Sequence, residues 1–132
     1  METTIIRQTA SFKANPQDIY EALMDPKKHS ELTGGNAVTS RKVGGHFTAY
    51  DGYVEGKNIE LIPDKLIVQK WRGSDWPEGH FSTVIFLLEE VDENTRLTFI
   101  QVGVPEDQFA DISEGLREFY WRPMKKLLEK RE

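Results

Sequence analysis

The sequence predicts an α+β domain: a curved antiparallel sheet of six or seven strands wrapped around one long C-terminal helix, with two short helices after the first strand. Three observations predict it. Apolar and polar residues alternate near the start of the chain, residues 37 to 104 read as short strands separated by turns, and about the last 25 residues repeat at threes and fours. At 132 residues the chain suits a single domain, 1–132.

The elements follow in order. Ile6, Gln8, Ala10 and Phe12 share one face of a half-buried first strand. Asn15-Pro16-Gln17-Asp18 starts a helix: Asn15 can accept from a free N–H, Pro16 suits the first helical position, and Asp18 complements the positive end. Asp25-Pro26 ends it, and a second short helix runs from Pro26 to about Leu32, stopping at Gly34-Gly35. Strands are expected over 37–41, 46–51, 53–62, 65–72, 81–91 and 95–103. Gly44-Gly45, Asp51-Gly52, Pro63-Asp64, Trp76-Pro77-Glu78-Gly79 and Glu93-Asn94 separate them. Connections this short favour an antiparallel meander.

In the last segment Phe109, Ile112, Leu116, Phe119, Tyr120, Pro123, Met124, Leu127 and Leu128 form an apolar stripe. Glu114, Glu118, Arg122, Lys125 and Glu129 fall opposite it. Pro123 cannot donate to the Phe119 carbonyl, so a kink is expected near residues 119–122. A helix of this kind lying on a sheet can leave a space between the two layers.

Composition narrows the function. The chain has no cysteine, which excludes disulfides, thiolate metal sites and a cysteine nucleophile. A net charge of −5 argues against wrapping a nucleic-acid backbone. A mean hydropathy of −0.55 and a longest apolar run of Val84 to Leu88 argue against a membrane span. The first twenty residues hold no secretory h-region, which points to a cytoplasmic protein. No phosphate-binding loop or G-x-S-x-G elbow is present. His29, His46 and His80 lie far apart and lack metal-ligand spacing, so neither a metal nor a cofactor is implied. They read as strand-end or turn residues.

Two aromatic sites stand out. In Trp71-Arg72-Gly73-Ser74-Asp75-Trp76-Pro77-Glu78-Gly79-His80, the turn Trp76-Pro77-Glu78-Gly79 fits type I. Trp76 there is either an anchor for a partner or a lid folded back over the sheet edge. In Phe119-Tyr120-Trp121, Trp121 projects from the edge of the buried arc, where it covers a cavity mouth, meets a partner or flanks the core. Gln8 and Gln101 lie in strands expected to face the helix, where they contact a ligand or are satisfied by backbone.

Trp71-Arg72 followed by Trp76-Pro77-Glu78-Gly79-His80-Phe81-Ser82-Thr83 resembles the C-terminal domain of the activator of heat-shock protein 90 ATPase family. Gly44-Gly45-His46-Phe47, Asp51-Gly52-Tyr53-Val54-Glu55-Gly56, Gly103-Val104-Pro105, and Glu114-Gly115 leading into Phe119-Tyr120-Trp121 add to the likeness, which extends from about residue 4 to the C-terminus. The resemblance implies the helix-grip fold of the START and birch-pollen-allergen superfamily, with a hydrophobic groove between helix and sheet. It also implies co-chaperone work without catalysis: the family's best-known members touch the 90-kDa heat-shock chaperone and favour its ATPase-competent state. The eukaryotic co-chaperone carries an additional N-terminal domain, for which a first strand starting near Thr4 leaves no room. Stand-alone domains of the family are widespread among prokaryotes.

Three functions are thus in view. A chaperone-binding domain would use Trp76, Glu78, His80 and Trp121 as contacts. A carrier of a small hydrophobic ligand would line its cavity with Phe12, Tyr20, Phe99, Leu116, Tyr120 and Met124. An enzyme of the cyclase or hydrolase type would need titratable groups with shifted pKa inside that cavity, for which the sequence offers His46, His80 and scattered carboxylates.

Overall fold

The computed structural model describes residues 2–33 and 37–129. β1 (Thr3–Phe12) leads into α1 (Pro16–Met24) and α2 (Pro26–Thr33), followed by β2 (His46–Ala49), β3 (Val54–Ile62), β4 (Leu66–Gly73), β5 (Ser82–Val91) and β6 (Asn94–Pro105). The helical C-terminal segment comprises α3 (Phe109–Leu116), a π-helical turn (Arg117–Trp121) and α4 (Arg122–Leu128). The strands form one antiparallel sheet in the order β1-β6-β5-β4-β3-β2, a meander closed on one side by the first strand.

The first half forms as its residues dictate. Ile6, Ala10 and Phe12 point into the core while Arg7, Thr9 and Ser11 are exposed. Asn15 Oδ1 accepts from the Asp18 amide at 2.9 Å and Pro16 opens α1. Asp25 does the same for α2, its carboxylate accepting from the amides of Lys27 (2.9 Å) and Lys28 (3.2 Å). These bonds favour the ionised form and hold the Asp25 carboxyl below its usual range. The Gly34-Gly35 stop lies outside the described residues.

The strand expected over 37–41 is not part of the sheet. Only Val38 pairs, bridging Thr48 through bonds of 2.9 and 2.8 Å. Asn58 accounts for the difference. Fully buried at a bulge in β3, it donates to the carbonyls of Ser40 (2.7 Å) and Lys42 (3.1 Å), while Thr39 Oγ1 donates to the Met24 carbonyl at 2.6 Å. Beyond the Val38 bridge, residues 39–42 are held by side chains, not by a ladder.

The kink expected from Pro123 takes the form of the π-helical turn. The Arg122 amide bonds back to the Arg117 carbonyl, five residues earlier, so the backbone widens where proline withholds its donor. The consequence is a change of face. At 100° per residue Trp121 would stand about 140° from Leu116. In a turn bonded i→i+5 the fifth residue returns to the same side, and Trp121 is buried with Leu116 and Tyr120. Phe119, expected in the buried stripe, turns outward and is 41% exposed. Phe109, the first residue of α3, is similarly exposed.

Candidate functional site

The two predicted aromatic sites are structural in their placement. Trp76 is 4% exposed, its ring tilted between Trp71 and His80 with centroids 5.6 and 5.8 Å away. The turn runs one residue later than expected: the His80 amide donates to the Pro77 carbonyl, and Gly79 takes a φ of 79° at the third position, as a type II turn requires. Arg72 fastens this loop by donating to the carbonyls of Trp76 (2.6 Å), Pro77 (3.2 Å) and His80 (3.3 Å). His80 is half-buried with Nε2 2.7 Å from the Gly103 carbonyl, and Glu78 is exposed at the turn.

Trp121 is 6% exposed instead of projecting. Its Nε1 donates to Gln8 Oε1 at 2.6 Å, and its ring meets Phe99 edge-on. Gln8 Nε2 in turn donates to the Ser113 carbonyl at 3.0 Å, so one β1 side chain holds the helical segment both ahead of the π-helical turn and at its last residue, Trp121. Gln101 donates to Ser82 Oγ, leaving its Oε1 buried without a hydrogen-bond partner among the described residues. Burial thus withdraws Trp76 and Trp121 from the surface a partner would touch.

The residues expected to line a cavity divide in two. Phe12, Tyr20, Phe99 and Met124 are packed into the core between sheet and helices and line none of the described pockets. Leu116 and Tyr120 do border open space. On the inner side of Tyr120 lies a pocket of about 20 Å³, room for about one water. On its outer side lies a groove of about 310 Å³ between α3 and the ends of β3 and β4. Trp71 also borders both.

The inner pocket holds a group whose sequence context reads as a strand end or turn. His29 is 9% exposed on α2, with Nδ1 3.1 Å from the Leu23 carbonyl and Nε2 2.8 Å from the Tyr120 hydroxyl. A carbonyl only accepts, so Nδ1 carries the proton and Nε2 accepts from Tyr120. Burial pushes the imidazole pKa below 6.5, partly opposed by the Leu23 carbonyl. Its Tyr120 partner is 91 residues away, and no local pattern marks the pair.

The groove has an apolar floor of Val54, Trp71, Ile112 and Leu116, and Phe119 stands on its rim. Across from Phe119, the Tyr53 hydroxyl donates to Asp75 Oδ1 at 2.7 Å. Burial, the Asp75 bond and charge, and the charge of Asp111 together push the Tyr53 pKa up to about 12. Gly73 makes this close approach possible. A Cβ there would stand 2.7 Å from the Tyr53 hydroxyl and 2.9 Å from the buried Trp76 Nε1, which has no hydrogen-bond partner among the described residues.

A six-stranded antiparallel sheet gripped by a long C-terminal helix, with two short helices after the first strand, defines a helix-grip protein. Solved structures agree. An HSP90 activator from Plasmodium falciparum superposes with a TM-score of 0.83 at 22% identity, covering 95% of both chains. The Aha1 dimer from Colwellia psychrerythraea gives 0.83 at 25% identity, over 96% of this chain and 97% of that one. Residues 13–129 match the family model described as activator of Hsp90 ATPase homolog 1-like protein, and the chain belongs to that family. It is 30% identical over 115 residues to the human activator of 90 kDa heat shock protein ATPase homolog 1, covering 87% of this chain and 34% of the human protein. An uncharacterized Schizosaccharomyces pombe protein is also 30% identical, over 95% of this chain and 37% of its own. The chain thus spans about a third of the length of these curated relatives. Among the described residues no helix is long and apolar enough to cross a membrane.

Proposed function

We propose that this chain is a non-catalytic binding domain that engages the 90-kDa heat-shock chaperone in the cytoplasm and favours its ATPase-competent state. The observation that carries this reading is the distribution of space. The interior pocket between helix and sheet measures about 20 Å³, whereas about 310 Å³ of apolar groove lies open beside α3. Ligand pockets for small molecules run from ~300 to ~1,000 Å³ and bury most of the ligand. An interior of this size argues against carriage of a hydrophobic molecule in the core, and an open aromatic groove suits a protein surface. Membership of a family described as activator of Hsp90 ATPase homolog 1-like supports the chaperone as that protein.

Against an enzyme of this superfamily's kinds, the buried His29 satisfies one requirement, a titratable group of shifted pKa at a pocket. Its Nδ1 and Nε2 are engaged by Leu23 and Tyr120, and the pocket admits no substrate larger than water. The test is to measure ATP hydrolysis by the purified chaperone with and without this protein, together with titration calorimetry. Stimulated hydrolysis and saturable heat support the reading; unchanged hydrolysis with no binding refutes it.

A further inference from the structure

The groove beside α3 is chemically two-sided. Its floor is apolar, yet its mouth carries Asp75 and Asp111, both exposed and both acting on the Tyr53 hydroxyl. Among the described residues neither carboxylate forms an ion pair with a lysine or arginine, although the chain forms such pairs elsewhere at Arg41–Glu21, Arg72–Glu55 and Arg96–Glu89. Two negative charges beside a low-dielectric surface, on a chain of net charge −5, set up a field that favours a cation at the groove mouth.

Gly115 adds an independent sign. It sits inside α3, where glycine weakens a helix by ~1 kcal/mol relative to alanine. Packing does not demand it: its φ is not positive, and a Cβ there would meet nothing nearer than Phe119 Cδ2 at 3.9 Å. What the missing side chain leaves is open volume, because Gly115 lines the groove.

We propose that this groove receives a basic, apolar segment of a partner protein, with an aliphatic or aromatic side chain seated on Trp71, Ile112 and Leu116 and a neighbouring lysine or arginine paired to Asp75 and Asp111. The inference rests on the protein-binding reading above in taking the occupant to be a polypeptide. The volume, at the small end of the ligand-pocket range, fits one or two side chains. The charge fits a segment that is basic, and the polar rim around an apolar centre has the anatomy of a protein-docking patch.

The test is an NMR titration of the labelled protein with acetyl-Leu-Arg-Phe-Lys-amide, with its counterpart carrying glutamine at both basic positions, and with 4-phenylbutylamine. The basic peptide should produce saturable shifts at the Trp71 indole and the Ile112 and Leu116 methyls. Asp75→Asn with Asp111→Asn should weaken it roughly tenfold, as two partly screened ion pairs would, and remove most of the salt dependence. An asparagine at 75 still accepts from Tyr53, so the double variant should melt with the wild type. Gly115→Leu, which fills the groove, should block binding by a second route. Equal binding of the glutamine peptide, an unaffected double variant, shifts lying outside the groove, or binding of 4-phenylbutylamine alone would each overturn the proposal, the last in favour of a small cationic ligand. Titrating the chaperone separates this inference from the functional reading. If the double variant binds the chaperone as the wild type does, the groove inference falls and the co-chaperone reading stands. If the wild type binds the basic peptide at the groove but not the chaperone, the converse holds.

Discussion

Replacing Gln8 by leucine should loosen the grip of the helix on the sheet, and the structure sets the size of the effect. Gln8 accepts the Trp121 indole N–H at 2.6 Å and donates to the Ser113 carbonyl at 3.0 Å. Leucine is close to glutamine in size but offers neither atom. Losing the acceptor strands an indole N–H on a side chain only 6% exposed, a loss of about 1–3 kcal/mol. Losing the bond to Ser113 removes about 0.5–1.5 kcal/mol more, and the added apolar surface of leucine returns part of this. The net expectation is a destabilisation of about 2–3 kcal/mol, or roughly 6–12 °C in melting temperature for a domain of this size. Urea unfolding followed by far-UV circular dichroism measures it. In a Trp121→Phe background the stranded donor is absent, so Gln8→Leu should cost at least ~1 kcal/mol less than in the wild type. Equal losses in both backgrounds, or a loss below about 0.5 kcal/mol in the wild type, would refute the argument that Gln8 holds the segment through Trp121.

Two glycines should respond in opposite directions. Gly56 lies in β3 between β2 and β4, and a Cβ there would stand 2.0 Å from the Lys70 carbonyl oxygen and 2.6 Å from Phe47 Cζ; Gly56→Ala should destabilise by about 3 kcal/mol in chemical unfolding. Gly115→Ala meets ordinary contact at 3.9 Å and gains helix propensity, so its melting temperature should rise, by up to about 1 kcal/mol of stability. His29 should make stability pH-dependent. Its pKa is lower in the folded protein than in the unfolded chain, so below about pH 6.5 the unfolded state takes up the proton first. The stabilisation is complete above that pH and declines as pH falls toward the folded-state pKa, at up to ~1.4 kcal/mol per pH unit. The low-lying Asp25 acts in a separate window, below its ordinary value of 3.8. Unfolding curves from pH 8 to 5 should show a slope in the wild type that His29→Gln reduces; identical slopes would contradict the assignment.

Much of the fold is legible because its signals are local. The alternation from Ile6 to Phe12, the Asn15-Pro16 start and the spacing of Leu116, Tyr120 and Met124 each state the face a residue presents, and burial follows them. Errors arise where a distant partner decides. Residues 37–41 read as a strand, but Asn58, eighteen residues beyond Ser40, claims the carbonyls of Ser40 and Lys42. A wheel of 100° per residue puts Trp121 at the edge of the buried arc, and the π-helical turn moves it to the buried side while turning Phe119 out. Pro123 signalled a distortion there but not its form. At the site, Leu116 and Tyr120 share a face by periodicity, and both border open space. The pairing of His29 with Tyr120, and the convergence of Asp75 and Asp111 on Tyr53, depend on contacts between elements that no spacing along the chain encodes.

The claim that matters most is that this domain binds a protein through its surface groove. Titration calorimetry of the purified 90-kDa chaperone against the wild type and against the Asp75→Asn, Asp111→Asn double variant addresses it directly. Saturable binding is expected for the wild type, and roughly tenfold weaker binding for the variant at equal stability. Absence of heat with the wild type would refute the chaperone as the partner, and equal affinity for both proteins would refute the groove as the contact surface.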